Sequence, residues 1–306
     1  MLNQVDVVEN AWKAGVMIPG FNVPYLPMME PIVRAVVDQK SFALISTAQI
    51  EWQTLESKGP RQVMDEFQKW DKPDYVRLHI DHIGSIDELT NEPNDYCSII
   101  SEAIEMGYPS VMIDGSHEKD IENNIAVTHR IVELAHKKSV RVEAEVGTLF
   151  GYEVENMPPY EKIFNERIGF TTEEEVRRMV KETGCDWLSV AAGNFHGAMA
   201  GIGRFQEKGE AQLDVDHIGK LNAAAGVPLV LHGGSGIRID QLRAAFKNGI
   251  AKINVAKDLR SRYQKAMKEK NDVAFAQQAV YDRAVWLIKA HYRIAGTSNI
   301  VMGTGQ

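Results

Sequence analysis

PSVMID (109–114), IENNIAVTHRIVELAHKK (121–138) and VRVEAEV (140–146) follow one another with only short breaks. The outer two are short apolar runs rich in β-formers. The middle one repeats apolar residues at three- and four-residue spacing, which is the period of a helix with one buried face. Strand, helix, strand in that order is the building unit of a parallel sheet. The same alternation extends in both directions. Upstream lie VMIPGFNV (16–23), FALISTA (42–48) and YVRLHID (75–81); downstream lie DWLSVAA (186–192), VPLVLHG (227–233) and IAKINVA (250–256). Helical patterns separate them, several ending in Gly as a C-cap does, and FTTEEEVRRM (170–179) opens on a Thr cap with acids in the first turn. Eight such alternations predict an α/β fold, a (β/α)8 TIM barrel, with a doubly wound open sheet as the rival. No Pro/Gly/Ser-rich linker divides the chain, so residues 1–306 read as a single barrel domain with an additional C-terminal helical region at about 271–295. The longest irregular stretch, 147–169, has the length of a lid or binding loop.

Composition narrows the function. A net charge of −8 offers no basic face for nucleic acid or membrane, so an anionic substrate needs local positive groups. Two cysteines without close spacing, Cys97 and Cys185, make no disulfide framework and fit a reducing compartment. The first residues, MLNQVDVVENAWKAG, carry acids and no apolar core of a signal peptide, and no run reaches a membrane span. The expected location is cytoplasmic.

Active sites of such barrels lie at the C-terminal ends of the strands. Those ends carry Asn22, Asp81, His82, Asp114, Glu145, His196, His232 and Asn254. Each has a mundane reading alone: a histidine as a structural hydrogen-bonder, Asp114 as a turn cap, Glu145 as the partner of a surface lysine. Three imidazoles and several carboxylates converging on one rim point instead to a divalent metal such as zinc, with an open position for catalysis. LHGGSGI (231–237) and INVAKDLR (253–260) both run from strand to helix, and such loops aim backbone N–H groups at a phosphate. Asp81 and His82 are adjacent, and neighbours on a strand face opposite ways, so both reach the site only if the strand ends or bends there. His79 reads as a hydrogen-bonded barrel residue.

With these residues in view, the chain resembles the class II, zinc-dependent ketose-bisphosphate aldolases of the fructose or tagatose type. The likeness runs nearly end to end through GFNV, LHIDH, SVMIDGSH, VEAEVG, the His196–Gly197 pair, LHGGSGI and KINVA. It implies that His82, His196 and His232 hold a catalytic Zn2+. Asp114 and Glu145 match acidic positions of a second or alternative metal, and a second divalent or a monovalent cation is part of that expectation. Asp81 would move the proton of the C4 hydroxyl, and Glu153 on the loop the proton next to the carbonyl. Asn22 joins the substrate-binding set. Gly197, Gly233, Gly234, Ser235 and Asn254, Val255, Ala256 and Lys257 would bind the dihydroxyacetone phosphate half. Arg260 would reach the far phosphate in a neighbouring subunit, which implies a homodimer or homotetramer. The implied partner is a phosphorylated sugar.

Some positions depart from the family pattern: Asn194 and Phe195 before His196, Phe150 in the lid, Lys257 where Thr is common, Ala256 where the fructose type often has Asp, and Ala48 for a Ser. They leave open an aldolase for a different phosphorylated keto sugar or keto-deoxy sugar acid. A non-catalytic aldolase-like subunit should have lost ligands or acid–base groups, and this chain keeps them by position. A Schiff-base aldolase would use Lys252, which shares the face of Asn254.

Overall fold

The computed structural model describes residues 5–147, 158–194, 211–234 and 236–304. Eight strands form one closed parallel barrel in sequential order: β1 (Ile18–Asn22), β2 (Ala43–Ala48), β3 (Val76–Gly84), β4 (Ser110–Asp114), β5 (Arg141–Val146), β6 (Trp187–Val190), β7 (Leu229–Leu231) and β8 (Ile250–Val255). β8 closes on β1 with Ile18 opposite Lys252 and Gly20 opposite Asn254. The expected (β/α)8 barrel is the fold found, and the open-sheet rival falls because both edges pair.

The local reasons match the residues. Thr172 caps the helix Glu173–Thr183 in a reciprocal capping box with Glu175, satisfying backbone donors that the first turn leaves open. Gly107, Gly184 and Gly226 end their helices with positive φ, the conformation a helix-ending residue favours. The large apolar core lies between the outward faces of the strands and the surrounding helices, with Ile45, Leu78, Val111, Val142 and Leu188 all buried.

A second, smaller core closes the N-terminal end of the barrel. Val7, Val8 and Ala11 of the helix Val7–Ala14 pack on Ile18, Leu44, Trp187 and Val230. Asp6 ties this plug down. Its carboxylate accepts from the backbone N–H of Val8 and Glu9 at 3.1 and 2.9 Å and from Trp187 Nε1 at 3.2 Å. Asp6→Ala removes the cap and leaves a buried indole N–H without its acceptor. The expected loss is about 1–2 kcal/mol in a urea titration, with the active-site end unaffected.

Above the plug the barrel interior turns polar. His79, Glu143, Ser189 and Lys252 are fully buried there. Gly20 makes room for this layer, since a Cβ at that position would lie 3.0 Å from Ser46 Oγ and 3.1 Å from Asn254 Oδ1. The C-terminal helix Val273–Trp286 packs outside, on the helices Met29–Asp38 and Lys257–Lys270. It then widens into a π-helical turn, Leu287–Tyr292, that brings His291 and Tyr292 to the cavity at the barrel mouth, a role beyond packing.

Candidate active site

Asp81 and His82 both face the C-terminal mouth because β3 bends between them. His82 has φ +44, and the ladder to β4 shifts register between Ile80 and Ile83. A side-chain-bearing residue rarely adopts that backbone, and such strain collects at functional sites.

A continuous hydrogen-bond network holds Asp81. Asn22 Nδ2 donates to Asp81 Oδ2 at 3.0 Å, and Asn254 Nδ2 donates to Asp81 Oδ1 at 2.7 Å. Asn254 is held in turn by Lys252 Nζ, which donates to its Oδ1 at 2.6 Å and lies 2.8 Å from Glu143 Oε2. Glu143 Oε1 sits 2.9 Å from His232 Nε2. Burial pushes the Asp81 carboxyl up, but the opposing charges of His82 and Lys252 outweigh it and hold the group well below the usual carboxylate range. Asp81 is therefore ionised at neutral pH and able to accept a proton. His79 keeps its structural reading: Nδ1 lies 2.9 Å from Ser110 Oγ, and burial, with Lys252 adding to it, lowers its pKa to about 3.

The same rim fits a cation. The His82 and His232 rings lie 4.4 Å apart. His82 Nδ1 faces Asp114 Oδ2 at 3.2 Å, and His232 Nδ1 faces Glu145 Oε2 at 3.0 Å. Both contacts join atoms that carry lone pairs unless a proton or a metal ion lies between them. His232 has a carboxylate at each ring nitrogen, Glu143 at Nε2 and Glu145 at Nδ1, and carboxylate–histidine pairs of this kind are common around metal sites. Asp81, His82 and His232 each offer a ligand atom within 4.8 Å of the others, and so do His82, Glu88 and Asp114. Buried carboxylates at this end, Glu51, Asp81, Asp114, Glu143 and Glu145, outnumber the single buried ammonium of Lys252 among the described residues. Burial disfavours a charged His82, yet Asp81, Asp114 and Glu145 raise its pKa well above the ordinary value. Buried charge must be paired or must bind metal, and protonated imidazoles or a bound cation would each balance these carboxylates.

The mouth opens into a cavity of about 570 Å³. Asn22, Asp81, His82, His232, Gly233, Gly234, Asn254, Val255, Ala256, Lys257 and Arg260 all line it. Asp114 and Glu145 stand behind the two imidazoles. The β7 loop comes close because it has no side chains: Gly233 has φ +64, and a Cβ on Gly234 would lie 2.6 Å from Ile253 Cδ1. The helix Lys257–Lys270 starts beside it, its first N–H groups at the same corner. Lys257 is exposed at this mouth. Glu153, His196, Gly197 and Ser235 lie outside the described residues, as do Phe150 and Phe195.

Several site residues were missed in the sequence. Glu143 carried a signal, since it stands two residues before Glu145 and shares its face. Glu51 and Glu88 had none, because Glu51 lies in the short helix Gln49–Thr54 and Glu88 in the connection after β3, both beyond the strand ends. Asn194, noted only as a departure, is a strut: its Oδ1 accepts from Ala192 N at 2.7 Å, and its Nδ2 donates to the carbonyl oxygen of His232 at 2.9 Å. Lys252, the Schiff-base candidate, is fully buried between Glu143 and Asn254.

Fold and site together define a barrel enzyme with a candidate metal centre at the C-terminal mouth. The family model for class-II fructose-bisphosphate aldolase matches residues 3–302, and the chain belongs to that family. It is an aldolase, a carbon–carbon lyase, of a class generally dependent on a metal. A fructose-bisphosphate aldolase of Streptococcus pyogenes serotype M3 is 34% identical over 278 residues, covering 90% of this chain and 85% of the streptococcal one. The Streptococcus pneumoniae serotype 4 enzyme of the same name is 33% identical over 279 residues, with 90% and 85% coverage. Among solved structures, the YdjI aldolase of Escherichia coli K12 superposes with a TM-score of 0.74 at 28% identity, covering 95% of this chain and 97% of that one.

Proposed function

We propose that this aldolase is zinc-dependent and reversibly cleaves a ketose 1,6-bisphosphate, of the fructose or tagatose type, into dihydroxyacetone phosphate and an aldehyde phosphate. The observation that carries the reading is Asp81, ionised and gripped by two amides, beside the His82–His232 pair at the mouth of a phosphate-sized corner. His82 and His232, with His196 by family likeness, would hold the zinc, and Asp114 and Glu145 would hold a second divalent or monovalent cation. Bound zinc supplies Lewis-acid stabilisation of the negative charge that C3–C4 cleavage leaves on the three-carbon fragment.

The protein's own groups do the rest. The Gly233–Gly234 turn and the helix start at Lys257 bind the phosphate next to the ketone, and Asn22 and Asn254 orient the hydroxylated carbons. Asp81 accepts the C4 hydroxyl proton as the C3–C4 bond breaks, and Glu153 would then deliver a proton to C3. Steps of this kind contribute about 10²–10⁴-fold each. Lys252 makes a poor Schiff-base nucleophile because its ammonium is paired and enclosed.

A second reading is favoured by Glu51 and Glu88, which line the cavity together with Lys257 and Arg260. A different phosphorylated keto sugar or a keto-deoxy sugar acid, with more hydroxyls than charge at its far end, suits that mixed wall. We also read residues 1–306 as one domain, cytoplasmic, in a homodimer or homotetramer. No helix among the described residues is long and apolar enough to cross a membrane.

The test is a cleavage assay on fructose and tagatose bisphosphates, their monophosphates and a phosphorylated keto-deoxy sugar acid. Chelation should abolish release of dihydroxyacetone phosphate, and zinc should restore it. Cleavage that survives full chelation would overturn the zinc assignment.

A further inference from the structure

We propose that Glu51 is a positioning residue for Asp81, acting through the side-chain amide of Asn22. The inference rests on the reading of Asp81 as the acid–base group and extends it to a residue in the connection after β2.

Glu51 stands in the first turn of the helix Gln49–Thr54, directly after β2. It is 4% exposed and lines the cavity. Its Oε2 accepts from Asn22 Nδ2 at 3.1 Å, and the same nitrogen donates to Asp81 Oδ2 at 3.0 Å. One NH2 group thus bridges two carboxylates, each taking one hydrogen. The opposite oxygen of Asp81 is served by Asn254, which is anchored at its own far end by Lys252. Glu51 is the counterpart of Lys252. Lysine fixes one amide by donating to its oxygen, and glutamate fixes the other by accepting from its nitrogen.

The orientation of Asn22 depends on this acceptor. Asn22 is 2% exposed, and its Oδ1 has no hydrogen-bond partner among the described residues. Glu51 and Asp81 both hold the NH2 on this side; without Glu51 the amide keeps only the Asp81 acceptor, loses its second anchor and can swing away from the Asp81 carboxylate. With Glu51 in place the donor faces Asp81, and Oδ1 remains the acceptor for a substrate hydroxyl. The charged groups around Glu51 are Asp81 from β3 and Arg260 from the helix Lys257–Lys270. Burial pushes the Glu51 carboxyl up to about 7, with the Asn22 hydrogen bond and Arg260 pulling down against it and Asp81 pushing up. An oxygen on Glu51 accepts from Asn22 in either protonation state, so the positioning does not depend on that ionisation.

The experiment compares wild type, E51A, E51Q, N22A and E51A/N22A with zinc restored, reading kcat, KM, bound metal and crystal structures of wild type and E51A. In E51A kcat should fall by roughly 10–100-fold, the scale of a misplaced catalytic group, with KM within about threefold and metal content unchanged. E51Q, which keeps an acceptor oxygen, should stay within about fivefold of wild type, as a positioning role and not a charge requirement dictates. E51A/N22A should be no slower than N22A alone, because both changes remove one linkage. Wild-type kcat in E51A, or losses that multiply in the double variant, would overturn the proposal. Should the wild type cleave no ketose phosphate, the proposed function fails, and the structures still decide the positioning. Asn22 Nδ2 leaving Asp81 in E51A supports it; Asn22 still donating to Asp81 there overturns it.

Discussion

Asp81→Ala is expected to lower kcat for cleavage by at least about 10²–10⁴-fold, the contribution of a positioned general base, while bound metal stays at the wild-type level. The two halves of that result separate the roles at the bend of β3. His82, one residue on, faces Asp114 and His232. The variant leaves two amide donors, from Asn22 and Asn254, pointing into a gap that water can fill, so the fold should hold. A thermal melt confirms that, a dihydroxyacetone phosphate assay reads kcat, and elemental analysis reads the metal. Activity within tenfold of wild type would remove Asp81 from the chemistry. Loss of metal along with activity would make it a ligand instead.

Glu143→Ala should produce the largest stability change, a loss of about 3–5 kcal/mol, because it strands a buried charge. Lys252 Nζ, 0% exposed, lies 2.8 Å from Glu143 Oε2, and His232 Nε2 lies 2.9 Å from Oε1. Burial pushes the Glu143 carboxyl up, but the Lys252 charge and the His232 hydrogen bond outweigh it and bring it down to about 2, so the group is charged. Removing it leaves an ammonium sealed in the barrel and the His232 imidazole, the proposed metal ligand, without its orienting carboxylate. Metal affinity should drop by about 10–100-fold, as it does when such outer partners are lost. Replacing both members, Glu143→Leu with Lys252→Met, should recover most of the stability, since a packed apolar pair often equals a buried ion pair. It should not recover activity, because Asn254 has then lost the donor that holds it toward Asp81. Urea titrations of the two variants and a competitive chelator assay check both parts. A single variant as stable as wild type would show that the interior charges are not coupled.

These residues also show how far sequence reading reaches. His82, Asp114, Glu145, His232 and Asn254 were legible because each ends an apolar run, and strand ends in a parallel barrel must converge. Glu143 was legible in principle by its two-residue offset from Glu145. Glu51 was not, because a carboxylate in a connection is ordinarily solvated, and only the closure of the barrel buries it against Asn22. Asn194 stood out as a departure, but that it carries the carbonyl of His232 depends on how β6 and β7 meet.

The order of strands and helices, and hence the barrel, was set by local periodicity, which a chain of L-residues expresses wherever apolar spacing repeats. So were the residues available at its mouth. What tertiary structure alone decided is how they act on one another: the bend at His82 that turns neighbours to one side, the polar layer of Glu143 and Lys252 beneath the rim, and the bridge from Glu51 through Asn22 to Asp81. Each joins elements tens of residues apart. Hydrogen bonds over such separations depend on distances and directions that only the closed barrel defines, and a buried charge finds its partner only once solvent is gone.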